Sequence, residues 1–366
     1  MNKDKDDVGL NHYRQYMLKN VVPGMKIGQP LITDNGKIVL HEGTILNEAL
    51  IKRLHYWGVT ELVIHDGSDT SGFFQAVPIP ISQELQRFTK DYQETIKVLS
   101  QAFQSVRYFN EVPLNQMREL ANDSVSNLVN SAGVMNHLQM VRHQDEYTFQ
   151  HSVNVSVIAG VLGKWIGYQG PELQDIILTG LLHDIGKAKI SLEVLNKPEK
   201  LLAEEMHLMQ THATLGYKLL RNIPDLPDEV VVGVLEHHER MDGSGYPLKL
   251  DGGRIHPYAK IIAVADVYDA MTSDRIYRPK VTPFFVLEMM AQKMFDEYDP
   301  SVCSVFLSHV RDCFVGSIVQ LSDGRQAEII STGQFLFTRP VVRTADGEFI
   351  DLETNKEITI AYVLKA

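Results

Sequence analysis

A helical period that runs over more than half of the chain is the feature that most limits the fold. From about residue 82 to residue 297, apolar residues recur at steps of three and four, which is the spacing of one face of an α-helix. Residues 20–66 and the segment after Phe314 alternate instead as β-strands do. The sequence therefore predicts a mainly α protein with a small β-rich N-terminal domain and a small β C-terminal extension.

Turn signals and composition mark the boundaries between these parts. Asn35-Gly36, Asp323-Gly324 and Asp346-Gly347 are dipeptides that suit tight hairpins. Residues 67–80 are rich in Gly, Ser and Pro, which is typical of a linker. We expect a β-rich domain over 1–70, a linker and helical segment over 71–140, the helical domain that carries the chemistry over 141–312, and the β extension over 313–366.

The composition excludes several classes of protein. The formal net charge of -11 argues against binding to polymeric nucleic acid or to an anionic membrane surface. Two cysteines, Cys303 and Cys313, supply neither a disulfide framework nor a thiolate zinc site. No stretch approaches the roughly 18 apolar residues of a membrane span, and the first residues lack the apolar region of a secretory signal. We therefore expect a cytoplasmic protein without a membrane span.

The histidines are concentrated in the helical body. Nine of the fourteen lie between His137 and His256. His151 lies one turn before Val155, on the apolar stripe of its helix, and His212 is spaced by three and four from leucines. His237 and His238 end the apolar run EVVVGVL. These positions predict side chains that face the interior.

Asp266 indicates that the buried histidines contribute to one common site. A single buried histidine more often only fills a core. A carboxylate inside the apolar run KIIAVADVYDA, however, is costly unless it is paired or bound to a metal. Several such positions in one helical body predict a common polar centre, and imidazole with carboxylate oxygen suits iron, manganese or zinc.

The sharpest motif is LLHDIGKAKI. The preceding helix, DIILTGLLHD, is apolar nearly all round, so we expect it to be central in the fold. It delivers His183 and Asp184 side by side, which allows the histidine to bind one metal while the carboxylate bridges two. Lys187 is a compact cation that suits a phosphate oxygen or a leaving group.

Two further strings add candidate substrate contacts. In HHERMDGSGYP the two histidines are followed at once by a tight turn, which is either a surface turn or the rim of the pocket, and Tyr246 there could stack on a base. VADVYDAMTSDRIYRP adds Asp269, Arg275 and Arg278 after Asp266. The two arginines are either solvated or bind phosphate.

Together these strings resemble the HD-GYP subgroup of the HD-domain phosphohydrolases. The resemblance runs from Tyr147 to Pro279 and rests on YTFQHS, HDIGK, HATLGYKLL, HHERMDGSGYP and IIAVADVYDAMTSDRIYRP. It implies an all-helical catalytic domain that hydrolyses cyclic di-GMP to pGpG or to GMP. The segment VVPGMKIGQPLITDNGKIVLHEGT also looks like a small domain often found ahead of this one.

The resemblance implies two divalent transition metals per chain, with iron or manganese the usual choice. It carries the ligand roles onto His151, His183, Asp184, His212, His237, His238 and Asp266, with Asp184 as the bridge. Asp184 and Lys187 are the predicted catalytic residues. The predicted substrate contacts are Lys187, Tyr246, Asp269, Arg275 and Arg278. Some family members hold a third metal through a glutamate, but Tyr147 stands at that position and Glu146 would point about 100° away around a helix, so we expect two metals.

Other functions stay open. An HD-type enzyme could act on a different cyclic dinucleotide, such as cyclic GMP-AMP, or on a nucleotide. A regulatory scaffold could bind cyclic di-GMP with little turnover, although the presence of all seven ligands favours the enzyme. A homodimer or a regulatory protein partner also stays open. We expect the β-rich head and tail to be dispensable for the chemistry.

Overall fold

The computed structural model describes residues 13–29, 31–32, 38–40, 44–46, 51, 54, 61–65, 83–131, 133–141, 147–197, 199–273, 282–331 and 339–365. The chain divides into two compact units, residues 1–78 and 79–366. Within the described ranges, no helix is both long and apolar enough to cross a membrane.

The first unit is built from short strands. They are β1 (Tyr13–Met17), β2 (Lys26–Ile27), β3 (Leu31–Ile32), β4 (Ile38–Leu40) and β5 (Glu61–His65), with a 3-10 turn at Leu18–Asn20. Strands β1, β5 and β2 form one antiparallel sheet in that order, and β3 pairs with β4. The β-rich N-terminal region is confirmed. The Asn35-Gly36 turn lies outside the described residues.

The second unit is mainly helical. Its first helices are α1 (Gln83–Phe109), α2 (Leu114–Glu119), a π-helical turn (Leu120–Val125), α3 (Ser126–Val129) and α4 (Val134–Met140). The middle helices are α5 (Tyr147–Ile166), α6 (Gly170–Leu182), a 3-10 turn (Ile185–Lys189), α7 (Leu192–Leu195), α8 (Ala203–Gln210), α9 (His212–Leu220) and α10 (Asp228–Glu236). The last are α11 (Pro257–Thr272), α12 (Pro283–Lys293) and α13 (Pro300–Asp312). The predicted mainly α fold is confirmed.

Helices α5 and α6 pack against each other in the centre of this unit. Every residue from Ile176 to Leu182 is buried, as expected for a helix that is apolar on all sides. Gly180 makes the close crossing possible, because a Cβ there would lie 2.6 Å from the Cα of Ser156. The C-terminal end of α6, which leads to His183 and Asp184, is therefore fixed deep in the core.

The C-terminal strands form a five-stranded antiparallel sheet. It contains β6 (Ile318–Leu321), β7 (Gln326–Ser331), β8 (Val341–Thr344), β9 (Phe349–Asp351) and β10 (Ile360–Lys365), in the order β10-β6-β7-β8-β9. The two predicted turns connect β6 with β7 and β8 with β9. Gly324 and Gly347 adopt φ values of 89° and 87° there, a left-handed region that glycine enters without strain.

This sheet shares one core with the helices. Val319, Ile329 and Val342 are fully buried and belong to the same apolar cluster as the residues of α5 and α6. Phe314 packs against Phe284 of α12, with ring centroids 5.0 Å apart. The shared core argues against the expectation that the tail is dispensable, while the finer domain boundaries stay predictions.

Candidate metal centre

Three of the predicted ligands stand at helix ends with one ring nitrogen already engaged. His183 follows α6, His212 begins α9 and His237 follows α10. In each, Nδ1 lies within hydrogen-bonding distance of the carbonyl three residues earlier. The acceptors are the carbonyls of Gly180, Met209 and Val234, at 2.8, 2.7 and 2.7 Å. An Nδ1–H that donates to a carbonyl leaves the Nε2 lone pair available, which is the tautomer that binds a metal.

His151 is oriented by a carboxylate instead. Its Nδ1 lies 2.8 Å from Oδ2 of Asp269, a fully buried residue of α11. Its Nε2 lies 3.0 Å from Oδ1 of Asp266, one helical turn earlier on α11. The ring therefore presents Nε2 to the same centre as the other three histidines.

The predicted ligands fall into two groups on opposite sides of Asp184. The first group holds His151, His183 and Asp266, and the second holds His212, His237 and His238; in each, one ligand atom per residue lies within 4.8 Å of the others. The set of His183, Asp184 and His237 meets the same limit and links the two groups. The two groups also lie close together at His238, because its Nδ1 lies 3.6 Å from Oδ2 of Asp266. The structure thus brings together all seven predicted ligands.

Asp184 faces both groups at once. Its Oδ2 lies 3.4 Å from Nε2 of His183 and 3.9 Å from Nε2 of His151, whereas its Oδ1 lies 3.3 Å from Nε2 of His212. The side chain is buried. One oxygen for each group is the geometry that a bridging carboxylate needs.

Two details of the buried nitrogen atoms fit a metal. Among the described residues, Nε2 of His183 is buried and has no hydrogen-bond partner, although buried polar atoms are nearly always paired. Nε2 of His212 lies 3.3 Å from Nε2 of His237. If both rings donate through Nδ1, these two nitrogens are acceptors that face each other, and a cation between them removes the conflict. Imidazole with carboxylate suits iron, manganese or zinc.

The electrostatics keep most of these histidines neutral. Burial lowers the pKa of His212 to about 4, and burial also lowers the pKa values of His237 and His238 well below the usual range. Burial acts in the same direction on His151, but its hydrogen bonds to Asp266 and Asp269 outweigh that effect and raise its pKa to about 9. Neutral imidazole is the form that binds a metal.

The two central carboxylates are ionised despite their burial. Burial alone would raise the pKa of Asp184, but Lys187 and His183 hold it well below its usual range. For Asp266 the same burial is outweighed chiefly by the hydrogen bond from His151, so its pKa also lies well below the usual range. The centre therefore offers two negative charges to bound cations.

Lys187 is held over this centre by a close-packed turn. Its Nζ lies 2.5 Å from Oδ2 of Asp184, and its side chain is 23% exposed, so it joins the buried carboxylate to the surface. Gly186 allows the turn to lie against α9, because a Cβ there would be 1.9 Å from the carbonyl oxygen of His212. Arg107 of α1 donates to the carbonyls of Lys187 and Ile190, at 3.3 and 3.0 Å.

The turn after the histidine pair packs directly on the centre. The ring of Tyr246 lies against the ring of His238, with centroids 4.6 Å apart and an angle of 31°. A Cβ at Gly245 would lie 2.6 Å from the carbonyl oxygen of His238, so glycine is needed for this approach. One face of Tyr246 therefore contacts a predicted ligand, and its predicted role as a base-stacking surface stays untested.

Glu239 is a residue that sequence reasoning missed. It is 2% exposed, and its Oε1 accepts hydrogen bonds from the backbone N–H groups of Leu248 and Lys249, at 2.6 and 3.1 Å. Its Oε2 accepts another from Leu250, at 2.9 Å. This carboxylate fixes the loop after Tyr246. The signal available in the sequence was an acidic residue placed immediately after two buried ligands.

Asp269, a predicted substrate contact, lies deep in the core. The residue is fully buried behind His151, and its Oδ1 accepts a hydrogen bond from Asn154 Nδ2 at 2.9 Å. Its carboxylate contacts a predicted ligand, and its predicted role in substrate binding stays a prediction. Arg275 and Arg278 lie outside the described residues, as do Glu146 and the side chain of Tyr147, so their predicted roles stay predictions.

Comparisons with known proteins show which family and which enzymes the chain resembles. Residues 125–302 match the family described as HD domain. The chain is 36% identical to a cyclic di-GMP phosphodiesterase of Pseudomonas aeruginosa over 64% of its own length and 58% of that protein. It is 36% identical to a cyclic di-GMP phosphodiesterase of Thermotoga maritima, over 45% of each chain.

A third relative is specific for a different cyclic dinucleotide. The chain is 37% identical to a 3'3'-cGAMP-specific phosphodiesterase of Vibrio cholerae, over 42% of its own length and 36% of that protein. The chain thus spans less than two thirds of the length of these curated relatives.

Proposed function

We propose that this chain, whose residues 125–302 match the HD-domain family, is a metal-dependent phosphodiesterase that hydrolyses cyclic di-GMP. The observation that carries the proposal is the position of Asp184. Its two oxygens face two separate groups of buried histidines, at 3.3 and 3.4 Å from the nearest ring nitrogens. That arrangement suits a pair of divalent cations and has no evident structural purpose without them.

We assign the two ions, iron or manganese, to the two groups of ligands. His151, His183 and Asp266 would hold one, His212, His237 and His238 the other, and Asp184 would bridge them. Bound there, such ions supply an activated water at neutral pH and offset the charge that develops on the phosphoryl oxygens. The protein contributes rings that are fixed in one tautomer by their backbone and carboxylate partners.

Other side chains bind and orient the diester in this proposal. Lys187 reaches from the buried carboxylate toward the surface, and its ammonium can pair with a phosphate oxygen once a metal takes its place at Asp184. Tyr246 offers a ring beside His238. Arg275 and Arg278 would contact phosphate from the segment that follows α11. A cytoplasmic location remains a further prediction, and a homodimer or a regulatory protein partner stays open.

Cyclic GMP-AMP is a second candidate substrate. It is favoured by the 37% identity to the cGAMP-specific enzyme of Vibrio cholerae. The two substrates share a macrocycle with two phosphodiester groups and differ in one base. The metal centre, which would contact a phosphodiester, would therefore not distinguish between them. Any discrimination must come from side chains that face the bases.

Chromatography of the reaction products tests the proposal. Metal-loaded protein, prepared without oxygen, is incubated separately with cyclic di-GMP, cyclic GMP-AMP and bis(p-nitrophenyl) phosphate. We expect conversion of cyclic di-GMP to pGpG or GMP, and faster turnover of it than of cyclic GMP-AMP. Faster turnover of cyclic GMP-AMP would favour the second candidate, and no turnover of either by a protein that holds two metals would favour a binding scaffold.

A further inference from the structure

Helix α1 lies outside the residues that match the HD domain, yet it reaches the metal centre. The family match begins at residue 125, whereas α1 covers Gln83–Phe109. Tyr92 of this helix is 1% exposed, and its hydroxyl donates a hydrogen bond to Oδ1 of Asn154, at 2.7 Å. Asn154 lies on α5, one helical turn after His151.

The contact continues inward through two more buried hydrogen bonds. Nδ2 of Asn154 donates to Oδ1 of Asp269 at 2.9 Å, and Oδ2 of Asp269 accepts from Nδ1 of His151 at 2.8 Å. All four side chains are at most 4% exposed. Each donor has an acceptor in this order, so the amide of Asn154 and the ring of His151 each have one orientation that satisfies the whole set.

We propose that Tyr92 is a positioning residue for the metal centre, and that it acts through Asn154 and Asp269 to hold His151 in its ligand orientation. The inference rests on the proposed function, because it takes His151 as a ligand. Asn154 donates to Asp269 through its Nδ2. In this orientation of the amide, the Oδ1 of Asn154 faces α1. Without the Tyr92 hydroxyl, this buried oxygen loses a donor, and the amide is free to rotate away from Asp269.

The role belongs to the hydroxyl and not to the ring. The aromatic ring stacks on Phe88, with centroids 6.1 Å apart, and fills the core between α1 and α5. Replacement by phenylalanine keeps that packing and removes the hydrogen bond to Asn154. A residue that merely stabilised the fold would change the affinities for both metals or for neither. The proposal predicts a change at the group that contains His151 alone.

A titration of metal-free protein with Mn²⁺, followed by calorimetry, measures the two affinities separately. Orienting partners of metal ligands typically contribute about 10–100-fold in affinity. We therefore expect Tyr92→Phe to bind one Mn²⁺ about tenfold more weakly than the wild type and to bind the other unchanged. Asn154→Ser should weaken the same ion at least as much, and the double variant should be no worse than Asn154→Ser.

Thr95→Val is the matched control. Thr95 is fully buried on the same helix, and its hydroxyl donates to the carbonyl of Asp91 in its own helix, at 2.7 Å. This variant should bind both ions as the wild type does. If Tyr92→Phe fails to fold, Asn154→Ser decides the question by the same single-ion loss.

The outcomes separate the inference from the proposed function. A wild type that binds two ions, with Tyr92→Phe and Asn154→Ser matching it at both, would overturn the positioning role and leave the proposed function standing. Equal weakening of both ions would overturn it too, since the effect would then be on the fold as a whole. A wild type that binds no Mn²⁺ or other divalent transition metal would overturn the proposed function and the inference together.

Discussion

Gly186→Ala should break the metal centre although it replaces no ligand. A Cβ at this position would lie 1.9 Å from the carbonyl oxygen of His212 and 2.5 Å from the backbone nitrogen of Gly216. Both atoms belong to the backbone of α9, so no side-chain rotation can relieve the contact. Real Cβ contacts essentially never fall under 3.0 Å, so the turn and α9 must separate by at least about 1 Å.

That separation moves apart the two segments that carry Asp184 and His212, which are both predicted ligands. Asp184 precedes Gly186 in the turn, and His212 begins α9, with 3.3 Å between their nearest atoms. Metal sites tolerate ligand displacements of about 0.2 Å, so a shift of about 1 Å should remove most of the affinity at the second group. Overpacking of this kind also costs about 1–3 kcal/mol of folding stability.

Metal analysis and thermal unfolding of the metal-free protein check both parts. Gly163→Ala is the control, because its Cβ would meet only the side chains of Leu173 and Ile176, at 3.1 Å and beyond, which can move. We expect Gly163→Ala to retain its metals and Gly186→Ala to lose at least one. A Gly186→Ala protein with the metal content of the wild type would refute the reasoning.

Three further outcomes follow from the same geometry. Asp184→Ala should lose metal and turnover, whereas Lys187→Ala should keep its metals and lose turnover; metal loss in Lys187→Ala would contradict this division of roles. Deletion of residues 313–366 should lower the unfolding temperature sharply, because each buried apolar side chain such as Phe314 contributes about 1.5–3 kcal/mol; an unchanged temperature would show that the tail is independent. The unfolded chain protonates His212 below its ordinary pKa of 6.5, while the folded chain resists protonation until about 4. His212 alone should therefore reduce the free energy of unfolding of the metal-free protein by about 3 kcal/mol as the pH falls from 6.5 to 4, and the loss measured by denaturant unfolding should be smaller in His212→Gln.

The helical body and the burial of its predicted ligands could be predicted because burial leaves a clear periodic signal. His151 and Asp266 stand on apolar stripes, and a costly polar group on such a stripe indicates a partner. The tail could not be placed in the same way. Its alternating pattern shows that one face of the sheet is buried, but not that Phe314 and Val319 join the core of the helices.

The supporting residues were harder to predict than the ligands. Asp269 stands three residues after Asp266, and the sequence does not show that its carboxylate lies behind His151. Tyr92 and Asn154 are separated by 62 positions, and neither belongs to a motif. Hydrogen bonds between distant segments depend on packing geometry, which the periodicity of one helix does not contain.

The number of metal ions bound by each chain tests the central claim most directly. Protein purified without oxygen, and then loaded with Mn²⁺ or Fe²⁺, can be analysed for metal and protein in the same sample. The geometry around Asp184 predicts close to two ions per chain in the wild type, with turnover of cyclic di-GMP that chelation abolishes. A folded wild-type protein that holds no metal, or one that turns over cyclic di-GMP at full rate after its metals are removed, would contradict the account.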